Sequence, residues 1–524
     1  MKRFDRNGNP ALYVTGVALC LLLGGCGLKE WVDNGFKVGP NYKPPPAPVA
    51  AQWIDYQRPE EQAPTQPAEL KQWWRVFGDP VLDSLVNDAY KENLTLRVAG
   101  ERISEARAVR GIAVGNLFPQ SQEVAGSYSN VKASNQPANH GSDQWYTNAE
   151  VGFNLSWEID FWGRFRRGVE AADANLDASI ANFDDVLVML LADVASNYIQ
   201  YRTFQERLNI ARENVRIQED AYQLATDNFK LGKSTERDPQ QAKQVLEQTR
   251  ASIPQFETGV RRANNALCVL LGIPPQELAQ RLGESGVIPT ATPEWSMGIP
   301  ADLLRRRPDV RRAERETAAQ SAAIGIAKSD LYPRFSLIGS VGVQAQDIGD
   351  LFHTPGSIAA FGGPSFHWNI LNYGQIESAV HVQEARFRQL FFTYQDAVLK
   401  ANQQAEDAII SYHKSQERTT YLTTSVTAAR RVVEITYDQY RQGAVDFTPV
   451  FIFESALTSQ QDELAQAQGD VALNLVDLYR SLGGGWEASE EPDGYAAPPT
   501  TAPTTQRTVR SIRPPTTPAA VPKP

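Results

Sequence analysis

Apolar residues recur along much of this chain at alternating spacings of four and three. Phe387, Phe391, Tyr394, Val398, Ala401, Ala405, Ala408 and Tyr412 keep that spacing throughout, and Leu176, Ile180, Phe183, Leu187, Leu190 and Val194 do likewise. Such heptads predict long helices that pack with supercoiling, and small alanines on the seam allow close approach. Breakers are scarce: from Arg166 to Leu231 there is only Gly168, and from Gln375 to Gln442 there is neither proline nor glycine. At ~1.5 Å per residue, each stretch predicts a helix roughly 100 Å long. Leu246, Ile253, Val260 and Leu267 recur every seven, as do Leu457, Leu464, Val471 and Leu478, which predicts a return helix after each long one. Pro254 lies inside the first return helix and predicts a kink there.

Other stretches switch to period two. Val151, Phe153, Leu155, Trp157 and Ile159 alternate with Gly152, Asn154, Ser156, Glu158 and Asp160. Phe335 to Val343 and Ile358 to Ile370 alternate in the same way, and Val124 to Val131 more weakly. One apolar face, a length near ten residues and aromatics near the ends fit strands of a membrane barrel.

The chain also repeats itself. Trp157 and Gly163 match Trp368 and Gly374; Tyr201 and Gln205-Glu206-Arg207 match Tyr412 and Gln416-Glu417-Arg418; Gly232 matches Gly443; Leu271-Gly272 matches Leu482-Gly483. Every one of these pairs lies 211 residues apart, and Leu117-Phe118-Pro119 matches Leu331-Tyr332-Pro333 at 214. So many matches in one register mean a duplicated unit, too long for a solenoid repeat. Each unit reads helix, two strands, very long helix, turn, long helix. The predicted class is an α+β membrane protein with four transmembrane β-strands and long coiled-coil helices per chain.

The ends differ from this middle. Lys2, Arg3 and Arg6 precede the apolar run Ala11 to Leu23, which is too short to span a bilayer but fits the core of a secretion signal. Leu23-Gly24-Gly25-Cys26 then fits a lipoprotein cleavage site, predicting an acylated Cys26. Gly27 stands where lipoproteins retained at the inner membrane usually carry Asp, which points to the outer membrane. The predicted organisation is a signal peptide over 1–25, a lipid-anchored proline-rich strap over 26–68, and a first repeat over 69–283. In that repeat, strands are expected near 121–160 and helices near 165–272. A second repeat follows over 284–486, with strands near 334–370 and helices near 375–482, and then a Pro/Thr-rich tail over 487–524 whose composition predicts disorder.

Composition narrows the function. A net charge of −10 argues against nucleic acid as partner. The cluster Arg305-Arg306-Arg307 with Arg311-Arg312 reads as a solvated helix start rather than a phosphate site. Once the signal is removed and Cys26 is acylated, Cys268 is the one free thiol, so no intrachain disulfide is expected. The five histidines include no close pair on one helix face, and no metal site is legible. Neither a nucleophile elbow nor a phosphate loop nor a dinucleotide fingerprint occurs, so no enzyme is expected, and no cofactor beyond the lipid on Cys26.

Four membrane strands cannot close a barrel, since known barrels begin at eight. Two chains would give eight strands, whose interior side chains fill, whereas three give twelve. At ~4.8 Å spacing and ~40° tilt, twelve strands make a ring roughly 24 Å across. Twelve helical rows at ~9.5 Å make a ring with axes roughly 36 Å across and a lumen of roughly 25 Å. The two rings can join end to end, so a homotrimer enclosing a water-filled tube is expected.

Several strings resemble a known family. Val38-Gly39-Pro40-Asn41-Tyr42 resembles a motif that follows the lipid anchor in the lipoprotein branch of the TolC-like outer-membrane factors. Trp74-Arg75-Val76-Phe77-Gly78-Asp79-Pro80 with Leu82 resembles the start of its first helix, and Ile299-Pro300-Ala301-Asp302-Leu303-Leu304-Arg305-Arg306-Arg307-Pro308-Asp309-Val310 resembles the string that opens its second unit. The resemblance covers about residues 26 to 486. It implies a 12-stranded barrel on a 12-helix periplasmic tunnel, acting as the exit duct of a tripartite efflux system. The implied partners are a periplasmic adaptor protein and an inner-membrane pump, often of the resistance–nodulation–division type.

Such a duct must close when no pump is docked, and the hairpin turns Leu231 to Asp238 and Gln442 to Thr448 are where helices can constrict. Gly232 and Gly443 are expected as their C-caps. The resemblance implies that the second turn is the pore-constricting one and that Asp446 belongs to an acidic aperture ring. Tyr440 and Arg441 are candidate ties, with Glu236, Arg237 and Asp238 as their possible partners. For Asp238, which precedes Pro239, simple helix capping is the plainer reading. By the spacing of Gly443 to Asp446 against Gly232 to Asp238, the second turn reads as three residues shorter than the first. Two rival readings are a lipid-anchored periplasmic scaffold without a pore, and a duct for one-step protein secretion.

Overall fold

The structure is a computed structural model. It describes residues 31–46, 48–49, 53–54, 70–132, 145–283, 287–291, 305–352 and 355–488. Cys26, the signal and the tail beyond 488 lie outside the described residues.

Two short helices open the folded body, α1 (Pro80–Glu92) and α2 (Leu94–Gly115). Asp79 caps α1 by accepting from the Val81 and Leu82 amides, and Pro80 sits in its first turn, where no amide is needed. Strands β1 (Ser121–Lys132) and β2 (Trp145–Ile159) lead into α3 (Arg164–Lys230), and α4 (Arg237–Leu270) returns. The second unit repeats the order with α5 (Pro308–Ser329), β3 (Arg334–Ala345), β4 (Ile358–His367), α6 (Gln375–Arg441) and α7 (Phe447–Ser481). Helices α3 and α6 are each 67 residues long, about 100 Å at ~1.5 Å per residue. Among the described residues, no helix is long and apolar enough to cross a membrane.

The four strands form one antiparallel sheet in the order β1-β2-β3-β4. Val124, Phe153, Val341 and Ala360 lie in one row across it, next to the row of Ala125, Gly152, Gly342 and Ala359. The glycine row is a close approach: a Cβ on Gly342 would stand 2.5 Å from the Val151 carbonyl oxygen. Val124, Tyr128, Phe153, Val341, Phe361 and Phe366 are exposed on the protomer. The alternating pattern carries the last strand to Ile370, but the ladder stops at His367. Its partner β3 begins at Arg334, opposite His367, and leaves nothing for Trp368 to pair with.

The duplication is visible in bonds as well as residues. The Trp157 indole donates to the Leu117 carbonyl at 3.3 Å, and the Trp368 indole donates to the Leu331 carbonyl at 3.1 Å. Gln205 donates to the Tyr201 hydroxyl at 3.1 Å, and Gln416 to the Tyr412 hydroxyl at 2.9 Å. Gly163 and Gly374, with φ of 82° and 79°, turn the chain from sheet into α3 and α6.

Packing follows the heptads. Leu187, Val194, Val398, Ala401 and Ala405 are fully buried, while Phe387 and Phe391 are half-covered. Pro254 does not end α4, which runs on through it with that residue exposed. The arginine cluster departs from a solvated helix start. Arg307 is buried, donating to the Ser481 carbonyl at 2.6 Å and to Gln404 at 2.7 Å, with both Asp309 oxygens on its other edge. Arg311 lies over the Trp486 ring and reaches Asp184.

The Val38-to-Tyr42 string is a clamp. Arg167, itself buried, donates to the carbonyls of Val38 at 3.1 Å and Gly39 at 2.9 Å, and to the Asn41 side chain at 3.0 Å. Gly39 packs on Gly325 so closely that a Cβ would stand 2.5 Å from the Gly325 Cα. The strap is thereby bound to both repeats, through α3 and α5.

Candidate functional site at the helical tips

Two hairpin tips lie side by side at the far end of the helices, α3 turning into α4 and α6 into α7. Each long helix ends the same way. The Gly232 amide bonds to the Phe229 carbonyl and Lys233 to Asn228; Gly443 bonds to Tyr440 and Ala444 to Gln439. Both glycines have positive φ, 70° and 74°. This paired bonding satisfies the last carbonyls and reverses the chain within a few residues.

Counted between the helices, the first turn has six residues, 231–236, and the second five, 442–446, so the second is shorter by one residue rather than three. Glu236 already has helical backbone, so Thr235, whose carbonyl accepts the Asp238 amide, occupies the place of Asp446. Asp446 caps α7, its carboxylate accepting from the Thr448 amide at 3.2 Å. Asp238 is the counterpart of Pro449. Spacing from the glycine had aligned two acids that play different parts.

Asp238 does not cap α4 either. It is buried, and its carboxyl accepts the backbone amide of Phe447, the first residue of α7. Burial pushes its pKa above the ordinary carboxylate value, against the pull of Arg237 at 3.9 Å. Arg237 reaches across the tips to Asp446 in an ion pair in which both side chains are about half exposed. Arg237 and Asp238 therefore bond to the start of α7, and Asp238 reaches Tyr440 at the end of α6 only through its charge. Tyr440 instead takes a bond from Asn228 at 3.4 Å and packs edge-on against Phe447 at 5.3 Å. Arg441 lies over the Tyr437 ring at 5.9 Å, and Glu236 is exposed.

Phe447, Asn228 and Tyr437 were not singled out in the sequence. Phe447 is fully buried among Ala221, Ala225, Ala242, Tyr440 and Val450, and so joins all four helices. Its signal was available: Phe447, Val450 and Leu457 continue the seam of α7 to its first residue. Among the described residues, no group of three or more His, Cys, Asp or Glu could hold a metal ion.

An exposed apolar four-stranded sheet joined to two helices of about 100 Å, each ending in a buried or ion-paired hairpin tip, defines the class: an outer-membrane channel with a long helical portion. The outer membrane efflux protein family model matches residues 85–273 and 299–484, and the chain belongs to that family. The chain is 29% identical over 461 residues to nodulation protein T of Rhizobium leguminosarum bv. trifolii, covering 86% of this chain and 95% of that one. It is 28% identical over 481 residues to the pyoverdine export outer membrane protein OpmQ of Pseudomonas aeruginosa, covering 91% and 97%. Among solved structures, the outer-membrane channel OprN superposes with a TM-score of 0.79 at 32% identity, covering 86% of this chain and 99% of that one. The protein is thus an outer-membrane efflux channel, built as the duplicated strand-and-coil unit that its sequence describes.

Proposed function

We propose that three copies assemble into a closed barrel and tunnel, anchored by a lipid on Cys26, which opens at its periplasmic tips to release small molecules. The observation that carries this reading is the sheet: four strands, apolar residues exposed, and no fifth strand on the outer edge of β1 or β4 among the described residues. A membrane strand must pair on both edges, so other copies are the natural partners. The tips supply the closure. The Arg237–Asp446 ion pair and the Asp238 bond to the Phe447 amide tie one hairpin to the other, and in this reading the three Asp446 carboxylates of the trimer contribute to an acidic ring.

In this reading the two tips also receive a periplasmic adaptor protein, and an inner-membrane pump of the resistance–nodulation–division type supplies the energy. Relatives named for pyoverdine export, cation efflux and toluene efflux align with this chain over most of their length. That breadth is expected if the pump selects the cargo and the duct passes what it is given. Heat-dependent migration of the purified protein in detergent gels tests the assembly. A band at the trimer position without boiling that collapses on boiling to a monomer somewhat below the 58.0 kDa of the unprocessed chain is the expected result. Migration as a monomer in both lanes refutes it.

A further inference from the structure

Helix α7 is tied to α3 by a ladder of polar side chains. Farthest from the tip, Arg207 grips both oxygens of Asp462 at 2.7 and 2.9 Å and reaches Gln466 at 2.8 Å. Nearer the tip, Asn214 donates to Gln461 at 2.9 Å, and Gln218 donates to the Thr458 hydroxyl at 3.2 Å. The next position down the α7 seam, one turn before Thr458, is Glu454. Here the ladder changes character. Glu454 is only 4% exposed, and its Oε1 has no hydrogen-bond partner. The Gln218 Oε1 and the Tyr437 hydroxyl, the latter close enough to Glu454 to feel its charge, are also buried without partners. Seam residues on either side, Val450 and Leu457, are buried and apolar.

An unpaired carboxylate in such a place is costly to ionise, because nothing repays the water it gives up. We propose that Glu454 is a proton-operated latch on this seam: with its proton it lets the two coils stay packed near the tips, and without it the seam loosens and the open duct is favoured. The surrounding groups point the same way. The cation nearest the Tyr437 hydroxyl is Arg441 of α6, whose guanidinium lies over the Tyr437 ring; the nearest further acid is Asp220 of α3. On the α4 side, Asp238 is spent on the Phe447 amide two turns nearer the tip. Burial raises the Glu454 pKa from 4.5 to about 7. Because the packed state holds the proton more tightly than an opened, hydrated one, acid stabilises the packed seam. That advantage fades as pH rises from the ordinary value, and above about 7 the closed state carries the full penalty. The open-to-closed ratio of each protomer's seam then changes by up to roughly tenfold per pH unit across that window, and by more for the whole duct if the three seams open together. The released proton goes to bulk water.

This rests on the tips being the closure. The test is open probability of the full-length protein in planar bilayers from pH 5 to 8, for the wild type, Glu454→Gln and Asp238→Asn. The expected result is a wild type that opens as pH rises, and a Glu454→Gln channel that stays mostly closed, its pH response reduced at least tenfold. A Glu454→Gln response equal to wild type overturns the latch, as does loss of the response in Asp238→Asn alone. A wild type that conducts freely at every pH contradicts the closure itself, a separate failure. If Glu454→Gln does not assemble, amide exchange of residues 447–460 in the wild type, corrected for intrinsic rates, decides. Protection that falls between pH 5 and 8 supports the latch, and constant protection overturns it.

Discussion

Removing the ion pair between the tips should make the resting duct leak. The pair joins Arg237 of the first hairpin to Asp446 of the second, with side chains 55% and 50% exposed. Water screens a pair that open, so each is worth only ~0.2–1 kcal/mol. In a trimer three such ties act on one aperture. If they release together, the loss is ~0.6–3 kcal/mol, or about threefold to a hundredfold in the open-to-closed ratio. Two variants isolate the charge. Asp446→Asn keeps a side chain that caps α7 about as well as Asp does. Arg237→Gln leaves the cap untouched. Both should raise basal conductance in planar bilayers by similar amounts, and the double variant should add little to either. Screening sharpens the test: at ~1 M salt, where the Debye length is about 3 Å, wild type and variants should converge. Conductance and ion selectivity that stay at wild-type values in both single variants would refute the reasoning.

Other consequences follow from the fold. Gly342→Val would place a branched side chain against the Val151 carbonyl and the Gly152 Cα, at 2.5 and 2.6 Å from its Cβ. Overpacking of this kind costs ~1–3 kcal/mol or more, and the oligomer band should disappear from unboiled gels. Arg167→Ala removes three bonds to the strap. At ~1.5–3 kcal/mol for a charged hydrogen bond, on the order of 3 kcal/mol should be lost. Limited proteolysis should then cut near residues 35–45 several times faster, and an unchanged cutting rate counts against the clamp. Cys26→Ser should abolish incorporation of labelled palmitate and leave the far-ultraviolet circular dichroism helical; label retained in the variant would show that Cys26 is not the acylated residue.

Much of this architecture could be read from the residues because its physical signals are long. Heptads over dozens of residues have few other solutions, and a duplication in one register identifies the unit twice. The strands were legible where one face is apolar, and β1 less so because Gly126 and Asn130 interrupt the face that carries Val124 and Tyr128. Where the last strand ends was not legible, since that depends on where β3 begins to pair. The buried, paired state of Arg307 was hidden for a related reason: Gln404 and Ser481, which it binds, are far away in sequence. At the tips, glycine spacing located the turns but misaligned their acids, because capping depends on backbone angles at Thr235 and Glu236 that no residue type announces. The bonding partner of Tyr440 was not legible, because Asn228 comes beside it only through the packing of α3 on α6. Glu454 has a signal in the sequence, a carboxylate set between the apolar seam positions Val450 and Leu457.

The most direct test of the central claim is single-channel recording of the protein purified from outer membranes, alongside a mass measurement of the same sample. A trimer with small, cation-selective openings is the predicted result. A monomer or dimer that carries no current would contradict the account and leave a periplasmic scaffold as the better description.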